Sequence, residues 1–235
     1  MKRENKRFAS SILKKPKEKF DDIKAVIELN NAIIETITDL VESRDNTIYG
    51  HIVNTSKYLK VVIEAVMTSE SYKKETIGWD VELMVQSARL HDVGKIEIDE
   101  IILRKPRKLT DTEYEVIKRH TLLGGEIINR IQNKTGENDF LNFARGFAVY
   151  HHEKWDGTGY PYGLDGENIP LPGRIMAIVD VYDTLVSERP YKKPFTHEEA
   201  VKIVMDAKGS SFDPVLADVF LSVSDKLPSV AWRVS

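Results

Sequence analysis

The 235-residue chain has no cysteine. That excludes disulfides, thiolate metal sites and a cysteine nucleophile, so any metal must be held by His, Asp and Glu. No apolar run approaches the roughly 18–20 residues that span a bilayer, so no membrane span is expected. No apolar core follows the charged N-terminus, so no secretory signal is expected and the chain reads as cytoplasmic. No clear alternating strand run appears, and nothing repeats at a solenoid period. Neither sign of charge dominates: 34 basic and 37 acidic side chains give −3. The first twenty residues carry eight Lys/Arg against Glu4 and Glu18, or +6, which leaves −9 on the remainder. Residues 1–19 are therefore read as a basic, solvated, mobile leader. The acidic remainder argues against nucleic acid as a partner. What is present is ordinary globular composition, 41% hydrophobic and 30% charged. The length suits one large domain, alone or with an appended helix.

The hydrophobic pattern is helical throughout. Residues 20–44 read as one long connector helix. Phe20, Ile27, Ile34 and Val41 recur every seven residues; Ile23, Asn30 and Ile37 form a second row, and Val26, Ile33 and Leu40 widen the stripe. A stripe wider than a coiled-coil seam favours packing on the chain's own core. A homodimer through residues 20–41 is the alternative. Further helices are expected near 50–67 and over 79–90. A capping box at Thr110–Glu113 opens another, expected to run through Ile128. Residues 133–139 read as a polar loop. Helices are then expected over 140–152, from Pro172 to Ser187, after the cap at Thr196–Glu199, and from Asp213–Pro214. The predicted architecture is an all-α helical bundle, with residues 45–235 as its main domain.

Six histidines are present: His51, His91, His120, His151, His152 and His197. His91 and Asp92 end the apolar run 81–90, and His151 and His152 end the run 143–150. Asp180 interrupts Ile175–Val181. Polar and charged groups in such settings are costly to bury without partners or a cation. Converging inside a bundle, they would suit a metal site built from facing helices. Five histidines and two carboxylates exceed the needs of one ion. They suit two divalent ions bridged by Asp92, with imidazole and carboxylate ligation favouring Fe or Mn and allowing Zn or Ni. Such a pair activates a shared water and stabilises attacking and leaving oxygens in phosphoryl displacement. Its net positive charge would draw an anionic phosphodiester.

His91-Asp92-Val93-Gly94-Lys95, with His151-His152-Glu153 and Asp156-Gly157-Thr158-Gly159-Tyr160-Pro161, resembles the HD-GYP family. The likeness runs from Arg44-Asp45 and Gly50-His51 through the segments 101–110, 163–171 and 187–192 to Gly209–Pro214, covering residues 40–222. The resemblance implies an HD-type helical phosphodiesterase that opens cyclic di-GMP to linear pGpG, or on to GMP. It implies metal ligands at His51, His91, Asp92, His120, His151, His152 and Asp180. Some members hold a third metal with a Glu four residues before the first ligand His. Thr47 stands there, so two metals are expected. Asp99, Glu100 and Arg107 also depart from the family pattern, flanking the site.

Lys95 alone would read as a snorkelling surface lysine. Beside the metals it would bind a nonbridging phosphate oxygen, with Asp92, Lys95 and Asp183 forming the catalytic group and Asp183 orienting Lys95. Asp183 follows Asp180 by three positions and shares its helix face. Arg189 and Lys192 either complement a helix dipole or, as the resemblance favours, grip phosphate and guanine. Gly159, Tyr160 and Pro161 make a turn that also serves substrate handling, and in the family this loop is implicated in meeting GGDEF-type cyclase domains. Trp155 reads as a packing anchor and His197 as a solvated first-turn residue. Two other readings stand beside cyclic di-GMP hydrolysis. One is hydrolysis of another cyclic dinucleotide such as cyclic GMP-AMP. The other is a non-catalytic module that senses the dinucleotide or docks a cyclase.

Overall fold

The computed structural model describes residues 16–44, 50–188 and 193–231, with side chains from residue 22 onward. The basic leader up to residue 15, Thr47, Arg189 and Lys192 lie outside the described residues. The contacts divide the chain into two units, residues 1–37 and Thr38–Ser235. The division falls inside the first helix, α1 (Pro16–Arg44), so its last two turns group with the bundle. The helix opens at Pro16, four residues before the apolar repeat, because proline suits the first turn.

The expected stripe of α1 is not uniform in exposure. Ile23, Val26, Ile27 and Ile33 are exposed, whereas Thr38 and Val41 are buried.

The bundle is helical as predicted. Among the described residues the only β pairings are two isolated bridges, Asp156 with Asp165 and Lys208 with Phe212. Its centre is formed by α2 (His51–Thr68), α3 (Val81–Ala88) and α8 (Leu171–Val186). Leu59, Val62, Ile63, Met84, Ile175, Ile178 and Tyr182 pack there with almost no exposure. These i, i+3, i+4 spacings place one apolar stripe per helix inward. A 3-10 turn (Val93–Glu97) and the single turn α4 (Glu100–Leu103) follow α3. Asp99 caps α4 through Ile101 N at 2.9 Å, and Glu100 pairs with Arg104 at 2.9 Å, which gives these two departures from the family pattern local structural work.

The helix expected from Thr110 to Ile128 is two helices, α5 (Asp111–Lys118) and α6 (His120–Thr135). Arg119 N bonds Val116 O at 3.2 Å, a tightened i−3 turn that breaks the axis. The polar loop beyond shrinks to residues 136–138, because Asn138 caps α7 (Asp139–Tyr150). The capping box at Thr196 opens α9 (His197–Asp206). Asp213 caps α10 (Pro214–Val223), and the short α11 (Leu227–Val230) closes the described chain. No helix among the described residues is long and apolar enough to cross a membrane.

Candidate metal centre

Every expected ligand among the described residues sits at or near a helix end, or on α8. His91 follows α3, His120 opens α6 directly after α5, His151 and His152 follow α7, and His51 opens α2. Helix ends offer carbonyls that lack an intrahelical partner, and the imidazoles use them. Nδ1 of His91 donates to Ala88 O at 2.9 Å. Nδ1 of His120 donates to Ile117 O at 2.7 Å, and that of His151 to Phe147 O at 2.8 Å. Nδ1 of His51 lies 2.6 Å from Asp183 Oδ2. With Nδ1 committed as donor, the lone pair of each neutral ring is on Nε2.

Three of those Nε2 atoms, of His91, His120 and His151, converge on Asp92. Its Oδ1 lies 3.3 Å from His120 Nε2 and 3.8 Å from His151 Nε2. Its Oδ2 lies 3.4 Å from His91 Nε2 and 2.8 Å from Lys95 Nζ. Asp180 Oδ1 is 3.4 Å from His51 Nε2. Two groups result, His51–His91–Asp92 and His120–His151–His152, each with ligand atoms within 4.8 Å of one another. Asp92 belongs to the first and presents an oxygen to the second.

His91 Nε2 and Asp92 Oδ1 are buried without a hydrogen-bond partner. Buried polar atoms left unmade cost about 1–3 kcal/mol each, and a cation between them removes that cost. The donor set therefore fits divalent ions.

The protonation states agree. Burial, with neighbouring His91 and His120, pushes His151 down to about 3. Burial also lowers His120 and His152, so these rings stay neutral. Burial alone would raise Asp92, but Lys95, His91 and His120 outweigh it and hold the carboxyl well below its usual range. His51 goes the other way: burial would lower it, yet Asp183, Asp180 and Asp92 raise it to about 9.

The structure gives three side chains contacts that the sequence did not indicate. The carboxylate of Asp183, fully buried on α8, bonds His51 at 2.6 Å and accepts from the Ser187 hydroxyl at 3.2 Å; Lys95 pairs with Asp92. Tyr160 is already engaged. Its ring stacks on His152 at 4.7 Å and 29°, meets Tyr114 edge-on at 6.4 Å, and has Lys118 Nζ 5.6 Å from its centroid. His197 is half-buried, and its Nδ1 lies 2.9 Å from the Tyr182 hydroxyl, because its helix packs on α8.

The loop bearing Gly159, Tyr160 and Pro161 folds back on the ligand segment. Tyr160 N bonds His152 O at 3.1 Å. A Cβ on Gly159 would lie 2.3 Å from Lys154 N, so only glycine permits the approach. Glu153, read in the motif without a role of its own, braces this loop. It is buried, and its two oxygens accept from Tyr162 N at 2.8 Å and Leu164 N at 3.0 Å. Trp155 N bonds Ser211 O at 3.2 Å, which ties the loop to the segment before α10.

The chain matches the HD domain family over residues 35–216 and belongs to it. It is 43% identical over 84% of its length to a Vibrio cholerae protein named cyclic di-GMP phosphodiesterase, covering 40% of that protein. It is 39% identical over 87% of its length to a second V. cholerae protein named probable cyclic di-GMP phosphodiesterase, covering 47% of it. A third V. cholerae relative, named 3'3'-cGAMP-specific phosphodiesterase 2, is 33% identical over 90% of this chain and 38% of its own length. The chain thus spans less than half the length of each of these relatives.

Proposed function

We propose that this chain is a cyclic-dinucleotide phosphodiesterase that uses two divalent ions, Fe or Mn, to hydrolyse cyclic di-GMP to linear pGpG. One observation carries the reading: a single buried carboxylate, Asp92, stands between two imidazole groups whose Nε2 atoms face it. His51, His91, Asp92 and Asp180 would hold one ion, and His120, His151 and His152, with the other oxygen of Asp92, the second. Such ions supply Lewis acidity toward a phosphoryl oxygen and an activated water.

The chain's own residues do the rest. Asp183 fixes the tautomer and orientation of His51, as outer carboxylates do for ligand histidines. Tyr160 holds the plane of His152. Lys95, its side chain 16% exposed and 2.8 Å from Asp92, keeps a cation at the rim of the centre where a phosphate oxygen can reach it. Arg189 and Lys192 retain the proposed role of gripping phosphate and guanine. Cyclic di-GMP ranks first because the two more similar relatives carry that name; the cGAMP relative supports cyclic GMP-AMP as the second substrate. The exposed apolar residues of α1, at heptad spacing, support a homodimer through that helix.

The test is incubation with cyclic di-GMP and Mn²⁺, or Fe²⁺ without oxygen, with products resolved by chromatography. Linear pGpG, lost in a His91→Ala/Asp92→Ala variant and kept in the surface variant Lys202→Ala, is expected. Turnover of cyclic GMP-AMP alone would change the substrate. Binding of either dinucleotide without turnover, in metal-loaded protein, would replace the enzyme by a sensing module.

A further inference from the structure

The first metal group draws on two chain segments that α2 and α3 separate. His51 lies at the start of α2, and His91 and Asp92 lie after α3. The last turn of α1 touches both. Glu42 Oε1 accepts from Ile52 N at 2.8 Å, one residue beyond His51. Arg44 donates to Ile96 O, and to Ile98 O at 3.1 Å, immediately after the turn that carries Asp92 and Lys95. Arg104, in turn, donates to Ser43 O at 2.5 Å. Thr38 and Val41 are buried at 2% and 3% exposure, which seats this turn firmly in the bundle. All of these residues lie in the unit Thr38–Ser235.

From this bridging geometry we infer that Glu42 and Arg44 are positioning residues. They form a two-sided staple that sets the distance between His51 and the His91–Asp92 turn, and so the affinity of that group for its ion. The other group, His120–His151–His152, lies on α6 and the end of α7, and among the described residues the hydrogen bonds of Glu42 and Arg44 go to Ile52, Ile96 and Ile98 instead. The staple therefore acts on one of the two ions. A backbone N–H and two carbonyls are its targets, so its specificity lies in side-chain length and hydrogen-bonding capacity. Glutamine can replace Glu42, because an amide oxygen still accepts from Ile52 N. Lysine cannot replace Arg44 fully, because one ammonium does not reproduce the guanidinium fork across two carbonyls.

The inference rests on the metal reading above, but one part of its test does not. Hydrogen exchange on the metal-free chain follows residues 51–55 and 93–98 in Glu42→Ala and Arg44→Ala. A staple predicts cross-effects: Arg44→Ala speeds exchange at 51–55, which Arg44 does not touch, and Glu42→Ala speeds it at 93–98. Local effects confined to each residue's own contact would overturn the staple, whatever the metal does. Equilibrium binding of Mn²⁺ to the same variants then tests its consequence. We expect one of two binding classes to weaken by about 10–100-fold, the range for outer residues of metal sites, with the other unchanged. Glu42→Gln should restore the affinity and Arg44→Lys should not. Equal weakening of both classes would overturn the selective role, and so would no weakening at all. Thermal melts identify any variant that unfolds, in which case Glu42→Gln and Arg44→Lys carry the comparison. If the unsubstituted protein binds no Mn²⁺, the metal reading fails while the exchange result still judges the staple.

Discussion

At Gly94 there is no room for a side chain: a Cβ would lie 1.9 Å from His120 O and 2.4 Å from Gly124 N. Both neighbours are backbone, so neither can swing away. Gly94→Ala must push α6 off the His91–Asp92 turn, and overpacking of this kind costs about 1–3 kcal/mol or more. We expect a lower melting temperature together with weaker Mn²⁺ binding, since the shift moves His120 relative to Asp92; an unchanged melt would refute the close approach. At Glu153 the cost is in hydrogen bonds. Glu153→Ala removes the acceptor for Tyr162 N and Leu164 N, at about 1 kcal/mol per bond. Faster hydrogen exchange over 160–164 is expected, with activity reduced about tenfold in a folded protein. Of the proposed ligands, His91, Asp92, His151 and His152 were legible because a His or Asp ending an apolar run is anomalous, whereas His51 and His120 entered through the family resemblance alone. Which partner each would choose was not. Asp183 lies on the Asp180 face and invited pairing with Lys95, but the choice of His51 depends on how α2 crosses α8, and spacing within one helix carries no such information. Glu153 stood in the recognised motif, but its loop-bracing role was not readable because its partners are backbone N–H groups nine and eleven residues on.

Among the elements, α8 also holds a buried charge outside the metal groups. Arg174, one turn into the helix, donates from NH1 to Asp213 Oδ2 at 2.7 Å and pairs with Glu75 at 3.1 Å. Tyr72 donates to the same Asp213 oxygen at 2.8 Å, and Asp213 Oδ1 caps α10 through Val215 N and Leu216 N. One carboxylate thus fixes α10, α8 and the segment before α3 together. Removing it leaves the buried guanidinium with the half-exposed Glu75 as its remaining ion partner, and breaking a buried pair costs about 3–5 kcal/mol. Denaturant unfolding of Asp213→Ala should show a lower midpoint with an unchanged slope, and a loss under 1 kcal/mol would contradict the role assigned here. Helix existence was readable from periodicity and caps: the boxes at Thr110 and Thr196 and the cap at Asp213 formed where their residue types stand, whereas the helix expected over 79–90 is the shorter Val81–Ala88, capped by Asp80. The break at Arg119 was not readable, since no Gly or Pro marks it. It arises from the tightened turn before His120 and from the crowding of that backbone against Gly94, a contact 26 residues away in sequence. Arg174 interrupts an apolar helix as Asp180 does, so the same reasoning applied to it would have found the buried pair.

At the scale of the whole molecule, two features bear on what the chain binds: the exposed apolar residues of α1 and the polar interior of the bundle. For the first, Ile23, Val26, Ile27 and Ile33 are exposed, and a second copy would cover them. Sedimentation equilibrium is expected to show a dimer that Ile27→Asp dissociates, and a monomer at high concentration would remove the dimer. For the second, ions that bind only the folded chain stabilise it by RT ln(1 + [M]/Kd), about 2.7 kcal/mol at a hundredfold excess over Kd. A clear rise of the melting temperature with Mn²⁺, absent in His91→Ala/Asp92→Ala, is expected. The most direct measurement is the number of Mn²⁺ ions bound per chain at equilibrium, with Asp92→Ala measured beside the unsubstituted protein. Two ions per chain, falling to one or none without the Asp92 carboxylate, is the predicted result. A single ion per chain, or a count that Asp92→Ala leaves unchanged, would contradict a paired centre bridged by that residue.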